Sequence, residues 1–300
     1  MSTPLPRAKG CTSRSAVVLA FFEPEHMNRI DTRFAALKAA GRKALVPFFT
    51  AGDPSLAAMV PVMHALVSAG ADVIEVGVPF SDPMADGPTI QRSSERALAG
   101  GAGLQFILDS VRAFRTDDVL TPVILMGYLN PVEIRGAESF ARDAASAGVD
   151  GVLLVDLPPE ELGEFRAVFA SHGVALILLA APTTSDDRIA LLCDAAQGYL
   201  YYVSYAGVTG ADGLDTAAAG ARLRSIRARS AVPVVAGFGI KDAASAAAMA
   251  IDADGVVVGS ALVSAIAGCG STAEAVGRAA DFLAPLRAAL DAGSPNAAVI

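Results

Sequence analysis

Residues 44–78 read ALVPFFTAGDPSLAAMVPVMHALVSAGADVIEVGV and contain a complete βαβ unit. Two short runs rich in β-branched and aromatic residues, Ala44 to Phe49 and Val73 to Val78, flank an Ala-rich stretch with helical periodicity from Ser55 to Ala69. This alternation predicts two parallel strands joined by a crossover helix. The unit therefore favours an α/β fold with a buried parallel sheet.

The same alternation continues along the chain. The further candidate strands are Pro122 to Met126, Gly151 to Val155, Ala175 to Leu179, Tyr199 to Ser204, Val232 to Ala236 and Gly255 to Gly259. The further predicted helices are Leu104 to Arg115, Glu138 to Ala147, Glu160 to Ser171, Ser185 to Ala196, Thr216 to Arg229, Asp242 to Ile251 and Thr272 to Ala292. Eight strands in such repeats predict a closed (β/α)8 TIM barrel. We assign residues 31–295 to this single domain and residues 1–30 to an N-terminal extension.

Composition excludes several classes of protein. Hydrophobic residues make up 53% of the 300 residues, yet no apolar run approaches the ~18 residues that a membrane span needs. The formal net charge of -8, without a basic run, argues against a nucleic-acid partner. Cys11, Cys193 and Cys269 are too widely spaced for a zinc knuckle or a disulfide framework, which favours a reducing cytoplasm.

The N-terminal extension superficially resembles a secretion signal, because basic residues precede a short apolar run from Ala16 to Phe22. Glu23-Pro24-Glu25 follows that run where a signal peptide would carry a small-residue cleavage site, so we expect a cytoplasmic protein. An alternative is that translation begins at Met27, which the intact mass of the natively expressed protein would test.

Glu75 is the first candidate catalytic residue. It shares a strand face with Val73 and Gly77, and the outer face of a barrel strand packs against helices, so we expect its carboxyl group inside the barrel. Burial raises the pKa of a carboxyl group, which suits a residue that both donates and accepts protons near neutral pH. A salt-bridged structural glutamate is the alternative.

A second carboxylate follows in the loop from Pro79 to Pro88, which is longer than a plain connection requires. Asp82 and Asp86 could each be turn or N-cap residues. The position of Asp86 after the strand that carries Glu75 makes it the stronger candidate.

Glycines after the last three predicted strands indicate a phosphate site. They are Gly207 and Gly210, Gly237 and Gly239, and Gly259, which precedes Ser260. Glycine lets backbone N–H groups approach an anion, and a short helix opening at Ser260 would direct its positive end there, although glycines also simply form turns. TIM barrels commonly bind phosphate at this position.

Other catalytic groups are missing from the predicted catalytic face. His26, His64 and His172 lie in the extension, in a helix and in an αβ turn. Lys43 and Lys241 are poorly placed for a Schiff base. The residues thus favour cofactor-free acid–base chemistry on a small phosphorylated substrate.

Taken together, these segments resemble the tryptophan synthase alpha family. The longest match is IEVGVPFSDPMADGPTIQ at residues 74–91. Shorter matches are Pro47-Phe48, Gly52-Asp53-Pro54, Leu125-Met126 with Tyr128 and Asn130-Pro131, Asp156-Leu157-Pro158, Gly207-Val208-Thr209-Gly210 and Gly237-Phe238-Gly239-Ile240. The resemblance extends from about residue 30 to about residue 290.

The resemblance implies cleavage of indole-3-glycerol phosphate to indole and glyceraldehyde 3-phosphate. Glu75 matches the proton-transferring glutamate, Asp86 matches the aspartate that faces the indole N–H, and Thr209 matches the residue that closes over Asp86. Positions around the indole match Phe48, Leu125, Tyr201 and Phe238. The phosphate positions match Gly210, Gly239, Gly259 and Ser260.

The resemblance also implies a partner, a beta subunit that carries pyridoxal phosphate, in an alpha2beta2 heterotetramer. The loop around Pro79 and Asp82 would contribute to that contact, and no cofactor is expected in this chain itself. Tyr205 departs from the pattern, because some members place arginine there, and the N-terminal extension is a second departure.

Three other functions compete with this interpretation. A phosphoribosyl isomerase would share the late glycines, but the long match at residues 74–91 argues against it. An allosteric activator of the beta partner would not need both Glu75 and Asp86. A free-standing lyase that releases indole fits the residues as well as a subunit does.

Overall fold

In the computed structural model, residues 28–203, 216–237 and 239–293 are described, and their strands close into a barrel. All neighbouring strands are parallel and follow chain order, and the first strand pairs with the last. The strands are β1 (Ala44–Thr50), β2 (Ile74–Gly77), β3 (Val123–Gly127), β4 (Gly151–Leu154), β5 (Ala175–Ala180), β6 (Leu200–Val203), β7 (Val234–Gly237) and β8 (Gly255–Val258). The (β/α)8 barrel predicted from sequence is confirmed.

Helices surround the barrel. They are α1 (Arg29–Ala39), α2 (Met59–Ser68), α3 (Pro88–Ala99), α4 (Leu104–Arg115), α5 (Leu129–Arg135), α6 (Ala137–Ala147), α7 (Leu162–Ser171), α8 (Asp186–Ala195), α9 (Thr216–Arg229), α10 (Ala243–Ala250), α11 (Ser260–Ile266) and α12 (Thr272–Ala292). Short 3-10 helices, Leu56–Ala58 and Pro159–Glu161, precede α2 and α7. Among the described residues, none of these helices has the length and apolarity that crossing a membrane would require.

Predicted and observed elements agree closely, and the differences have local causes. Ser55, the first residue of the predicted helix and a residue type that favours the N-cap position, precedes the first 3-10 helix but makes no capping hydrogen bond. Helices α1, α3 and α5 were not predicted. In α3 the residues on the buried side include Ser93 and Ser94, which weaken the apolar periodicity. Helix α1 begins at Arg29, two residues before the barrel domain that we assigned.

Helix α1 covers the amino-terminal opening of the barrel. Ile30 is fully buried, and its side chain lies where a Cβ on Gly151 or Gly198 would make close contact. The Phe34 ring packs at 5.7 Å from the ring of Tyr199, at the entry to β6. The opposite, carboxyl-terminal opening is therefore the one left for a functional site.

Four side chains at the amino-terminal end tie each even-numbered strand to the strand before it. Each side chain lies in the turn before β2, β4, β6 or β8 and accepts a backbone N–H at the start of the preceding strand. The pairs are Asp72 with Leu45 at 2.9 Å, Asp150 with Val123 at 2.8 Å, Gln197 with Leu176 at 3.0 Å and Asp254 with Val234 at 2.9 Å. These bonds satisfy donors at the strand starts and link sequence-distant turns.

Asp72 also joins the last helix to the first strands. Its carboxylate is buried and pairs with Arg287 of α12 at 2.9 Å and with Arg33 of α1 at 3.1 Å. Burial raises the pKa of Asp72, while the Leu45 N–H and the arginines act in the opposite direction. Removing one partner from such a buried group leaves the other charge uncompensated.

We expect Asp72→Ala to lower the free energy of unfolding by about 3–5 kcal/mol, because Arg287 and the Leu45 N–H lose their shared acceptor. Urea unfolding followed by circular dichroism measures the change. The control is Asp109→Ala, which removes an exposed pair with Arg112 and should cost under about 1 kcal/mol. Equal losses in the two variants would contradict the structural role of Asp72.

Candidate active site

Glu75 lies inside the barrel and is completely buried. Its Oε1 accepts a hydrogen bond of 2.5 Å from the hydroxyl of Tyr199, which directly precedes β6 on the opposite side of the barrel. Its Oε2 is buried without a partner among the residues that the structure describes. Burial raises the pKa of Glu75 to about 7, although the Tyr199 hydrogen bond acts to lower it. The carboxyl group can therefore hold or release a proton near neutral pH.

The tyrosines near Glu75 remain neutral donors. Burial and the neighbouring Glu75 charge both raise the pKa of Tyr199 well above its usual value and also raise the pKa of Tyr201. Tyr199 and Tyr201 are two residues apart on β6 and its entry, so they point to the same side of the strand. Both hydroxyl groups consequently keep their protons, and Tyr199 donates its proton to the hydrogen bond with Glu75.

Two strand glycines make room for aromatic side chains at the carboxyl-terminal end. A Cβ on Gly77 would lie 2.6 Å from the ring of Phe48, and a Cβ on Gly237 would overlap the Tyr201 hydroxyl. Any larger residue at either position would displace the aromatic group. The sequence thus places glycine where Phe48 and Tyr201 fill the barrel interior.

Asp86 is held at the rim by the residue that follows β3. The hydroxyl of Tyr128 donates to Asp86 Oδ2 at 3.0 Å and accepts the Ala85 N–H at the same distance. The Tyr128 ring also stacks on Phe80, with 5.1 Å between the centroids. Partial burial raises the pKa of Asp86, and the Tyr128 hydrogen bond opposes this shift. These contacts of Tyr128 fix the loop after β2 at the carboxyl-terminal opening of the barrel.

A cavity at this end of the barrel brings two of the predicted site residues, Phe48 and Asp86, together. Its lining includes Phe48, Thr50, Gly77, Asp86, Met126 and Tyr128. Glu75 does not line it, but Phe48 is paired with Glu75 in the β1–β2 register, and Gly77 follows on the same face. Glu75 therefore lies on the inward strand face that carries residues of the cavity lining, although its own side chain does not border the cavity.

The structure does not bring Leu125 to this cavity. In the β2–β3 register Leu125 pairs with Val76, whereas Met126 pairs with Gly77 on the inward face. Leu125 is buried on the helix-facing side, and Met126 lines the cavity in its place. The one-residue difference matters because adjacent residues of a strand point to opposite faces.

The candidate phosphate residues are described only in part. Gly239 has a positive φ of 72°, and Gly259 lies beside the Phe48 ring, directly before Ser260 at the start of α11. Thr209, Gly210 and Phe238 lie outside the described residues, as does Tyr205.

Comparison with known proteins identifies the family to which this barrel belongs. The family model for the tryptophan synthase alpha chain matches residues 34–289. The chain belongs to the tryptophan synthase alpha chain family. The tryptophan synthase alpha chain of Xanthomonas euvesicatoria pv. vesicatoria is 71% identical over 266 residues, which cover 88% of this chain and 99% of that relative.

Solved structures of tryptophan synthase agree. Tryptophan synthase subunit alpha from Legionella pneumophila superposes with a TM-score of 0.82 at 46% identity, over 89% of this chain and 99% of that one. A tryptophan synthase chain from Mycobacterium tuberculosis gives a TM-score of 0.78 at 38% identity, over 88% and 98% of the two chains. The family predicted from residues 74–91 is confirmed, as is the alpha subunit's lyase function in tryptophan biosynthesis.

Within this tryptophan synthase alpha fold, several residues of the site were not predicted, and three of them contact or replace a predicted residue. They are Tyr199, which bonds Glu75, Tyr128, which bonds Asp86, and Met126, which lines the cavity. Tyr128 and Met126 both occur in the segments that carry the family resemblance, so the signal was present. Tyr199 could have been found from its shared face with Tyr201.

We expect the Glu75 carboxyl group to titrate near pH 7 and to titrate at higher pH in Tyr199→Phe, because that variant removes the hydrogen bond that lowers its pKa. Infrared spectroscopy can follow the band of the protonated carboxyl group, and its loss in Glu75→Gln assigns it. A pKa in Tyr199→Phe that is unchanged or lower would contradict this role for the tyrosine.

Proposed function

We propose that this barrel cleaves indole-3-glycerol phosphate to indole and glyceraldehyde 3-phosphate in a cofactor-free reaction. The observation that carries the proposal is the buried carboxyl group of Glu75, with a pKa raised to about 7 and one oxygen unpartnered, next to a cavity bordered by Asp86. Two carboxyl groups in different surroundings can serve as a proton carrier and as a fixed negative charge.

Each proton in the proposed reaction has a donor and an acceptor. Protonated Glu75 donates its proton to C3 of the indole, which places positive charge on the ring. The Asp86 carboxylate accepts a hydrogen bond from the indole N–H and stabilises that charge. The Glu75 carboxylate then takes the proton of the glycerol hydroxyl next to the bond that breaks, the aldehyde forms, and the bonding electrons return to the ring. Glu75 ends protonated, as it began.

Substrate access requires a movement of the Glu75 side chain. The carboxyl group is bonded to Tyr199 and does not border the cavity, so it must rotate away from the tyrosine to reach C3. Because Oε2 has no hydrogen-bond partner among the described residues, such a rotation breaks only the bond between Oε1 and Tyr199.

We infer that the remaining contacts follow the family pattern. Phe48 and Tyr201 pack against the indole with Phe238, and Met126 takes the position that the family resemblance assigns to Leu125. Gly210, Gly239, Gly259 and Ser260 bind the phosphate, and Thr209 closes over Asp86. The positive φ of Gly239 and the start of α11 at Ser260 support backbone N–H contacts to an anion.

The purified chain should release indole from indole-3-glycerol phosphate, and Glu75→Gln should lower kcat by a factor of about 100 to 10,000, because the amide cannot carry the proton. Indole extraction and colorimetry measure the product. The matched control Glu164→Gln, at an exposed position on α7, should keep wild-type activity. If the wild-type chain releases no indole under any condition, the substrate assignment fails.

We also propose that the chain acts in the cytoplasm with a tryptophan synthase beta subunit that holds pyridoxal phosphate, in an alpha2beta2 assembly. Large apolar side chains are exposed on the carboxyl-terminal rim, where Met84 is 81% and Ile134 is 82% exposed. Tyr128 bonds to the loop that carries Met84 and immediately precedes α5, which carries Ile134. Exposed apolar residues on a rim near an active site favour docking of a protein partner.

Addition of a beta subunit should raise the indole release rate, and Ile134→Glu should abolish that increase while leaving the basal rate unchanged, because a charge would be buried at the contact. Steady-state assays with increasing beta subunit measure both rates. The control is Ile251→Glu, at a 74% exposed position before β8 on the opposite end of the barrel. Full activity without any response to the beta subunit would instead favour a free-standing lyase.

A further inference from the structure

Helix α3 follows directly after the loop that carries Asp86 and contributes to the cavity wall. It begins at Pro88, directly after Asp86 and Gly87, and its first turn carries Ile90, which lines the cavity. The side-chain amide of Gln91 donates to the Asp86 carbonyl at 2.9 Å. Any displacement of α3 therefore moves both the backbone of Asp86 and part of the cavity wall.

Two side-chain bridges fix α3 to the last residue of β1, Thr50, and to Asp53 in the loop that follows it. Ser93 donates its hydroxyl hydrogen to the Ile90 carbonyl at 2.8 Å, so Thr50 donates to Ser93 Oγ at 2.6 Å. One turn further along, Arg96 Nε and Nη2 donate to the two oxygens of Asp53, each at 2.8 Å. Ser93 and Arg96 are three residues apart and therefore lie on the same face of α3, so both bridges hold the helix by that face.

The Arg96 bridge is the stronger of the two. The bond is bidentate, and the Asp53 side chain is only 1% exposed, whereas the Arg96 side chain is 42% exposed. A planar guanidinium that binds both carboxylate oxygens fixes orientation as well as distance. Neither Asp53 nor Arg96 lines the cavity, so the bridge acts through other residues.

We propose that Arg96 is a positioning residue, which holds α3 through Asp53 so that Asp86 and Ile90 keep their places opposite Phe48 and Thr50. The proposal rests on the role proposed above for Asp86 at the indole N–H. That contact strengthens as positive charge develops on the ring. Displacement of Asp86 therefore reduces the stabilisation of the transition state more than it reduces the binding of the substrate.

The test compares Arg96→Ala with Arg92→Ala, which removes an arginine from the exposed side of the same helix. We expect kcat for indole release to fall by about 10- to 100-fold in Arg96→Ala, with a smaller change in KM, and to stay unchanged in Arg92→Ala. Asp53→Asn should reproduce the loss. It also serves as the second variant if Arg96→Ala fails to fold, because it is isosteric and leaves the half-exposed arginine in water.

Two unreactive ligands separate positioning from a general loss of structure. Affinity for 3-(indol-3-yl)propyl phosphate should fall in Arg96→Ala, while affinity for glycerol 3-phosphate, which has no ring, should not change. Equal weakening of both ligands, or a kcat equal to that of Arg92→Ala, would overturn the inference. A wild-type chain without indole release would instead refute the proposed function, and the two failures are therefore distinguishable.

Discussion

Closure of the barrel is the constraint on which the rest of this structure depends. Because β1 pairs with β8, no strand can shift or rotate independently, and the register fixes the inward or outward direction of every strand side chain. Glu75 and Tyr199 meet across the interior for this reason. The same closure leaves so little space that Phe48 and Tyr201 fit only because Gly77 and Gly237 carry no side chain.

The two ends of the barrel use polar groups differently. At the amino-terminal end, Asp72, Asp150 and Asp254 accept backbone N–H groups and pair with arginines, so their charges are compensated. Inside the barrel, towards the other end, Glu75 has no basic partner among the described residues and one oxygen without a hydrogen bond. Because no described basic side chain compensates its charge, burial raises the pKa of Glu75 to about 7. A carboxyl group with that pKa can both donate and accept a proton near neutral pH.

The loop after β2 is held from both sides. Tyr128 holds Asp86 and Ala85 from β3, and the bridges from Thr50 and Asp53 hold α3 from β1. Between these anchors, Met84 remains exposed at the rim. Rigid support on both flanks lets an exposed loop carry a precisely located carboxylate, because the loop ends cannot move relative to the barrel.

The sequence by itself determined the number and order of the strands, the family, and the candidacy of Glu75 and Asp86. These follow from local patterns, since strand periodicity, glycine placement and the motif at residues 74–91 are all readable along the chain. Helix α3 escaped prediction because its buried serines are satisfied by tertiary hydrogen bonds, which no periodicity reveals. Only the tertiary structure decided that Met126, and not Leu125, lines the cavity, because that choice depends on a register set by neighbouring strands. The contacts of Tyr199 with Glu75 and of Arg96 with Asp53 likewise join residues far apart in sequence. Barrel closure brings the first pair together across the interior, and the pairing of β1 with β2 brings the second pair together.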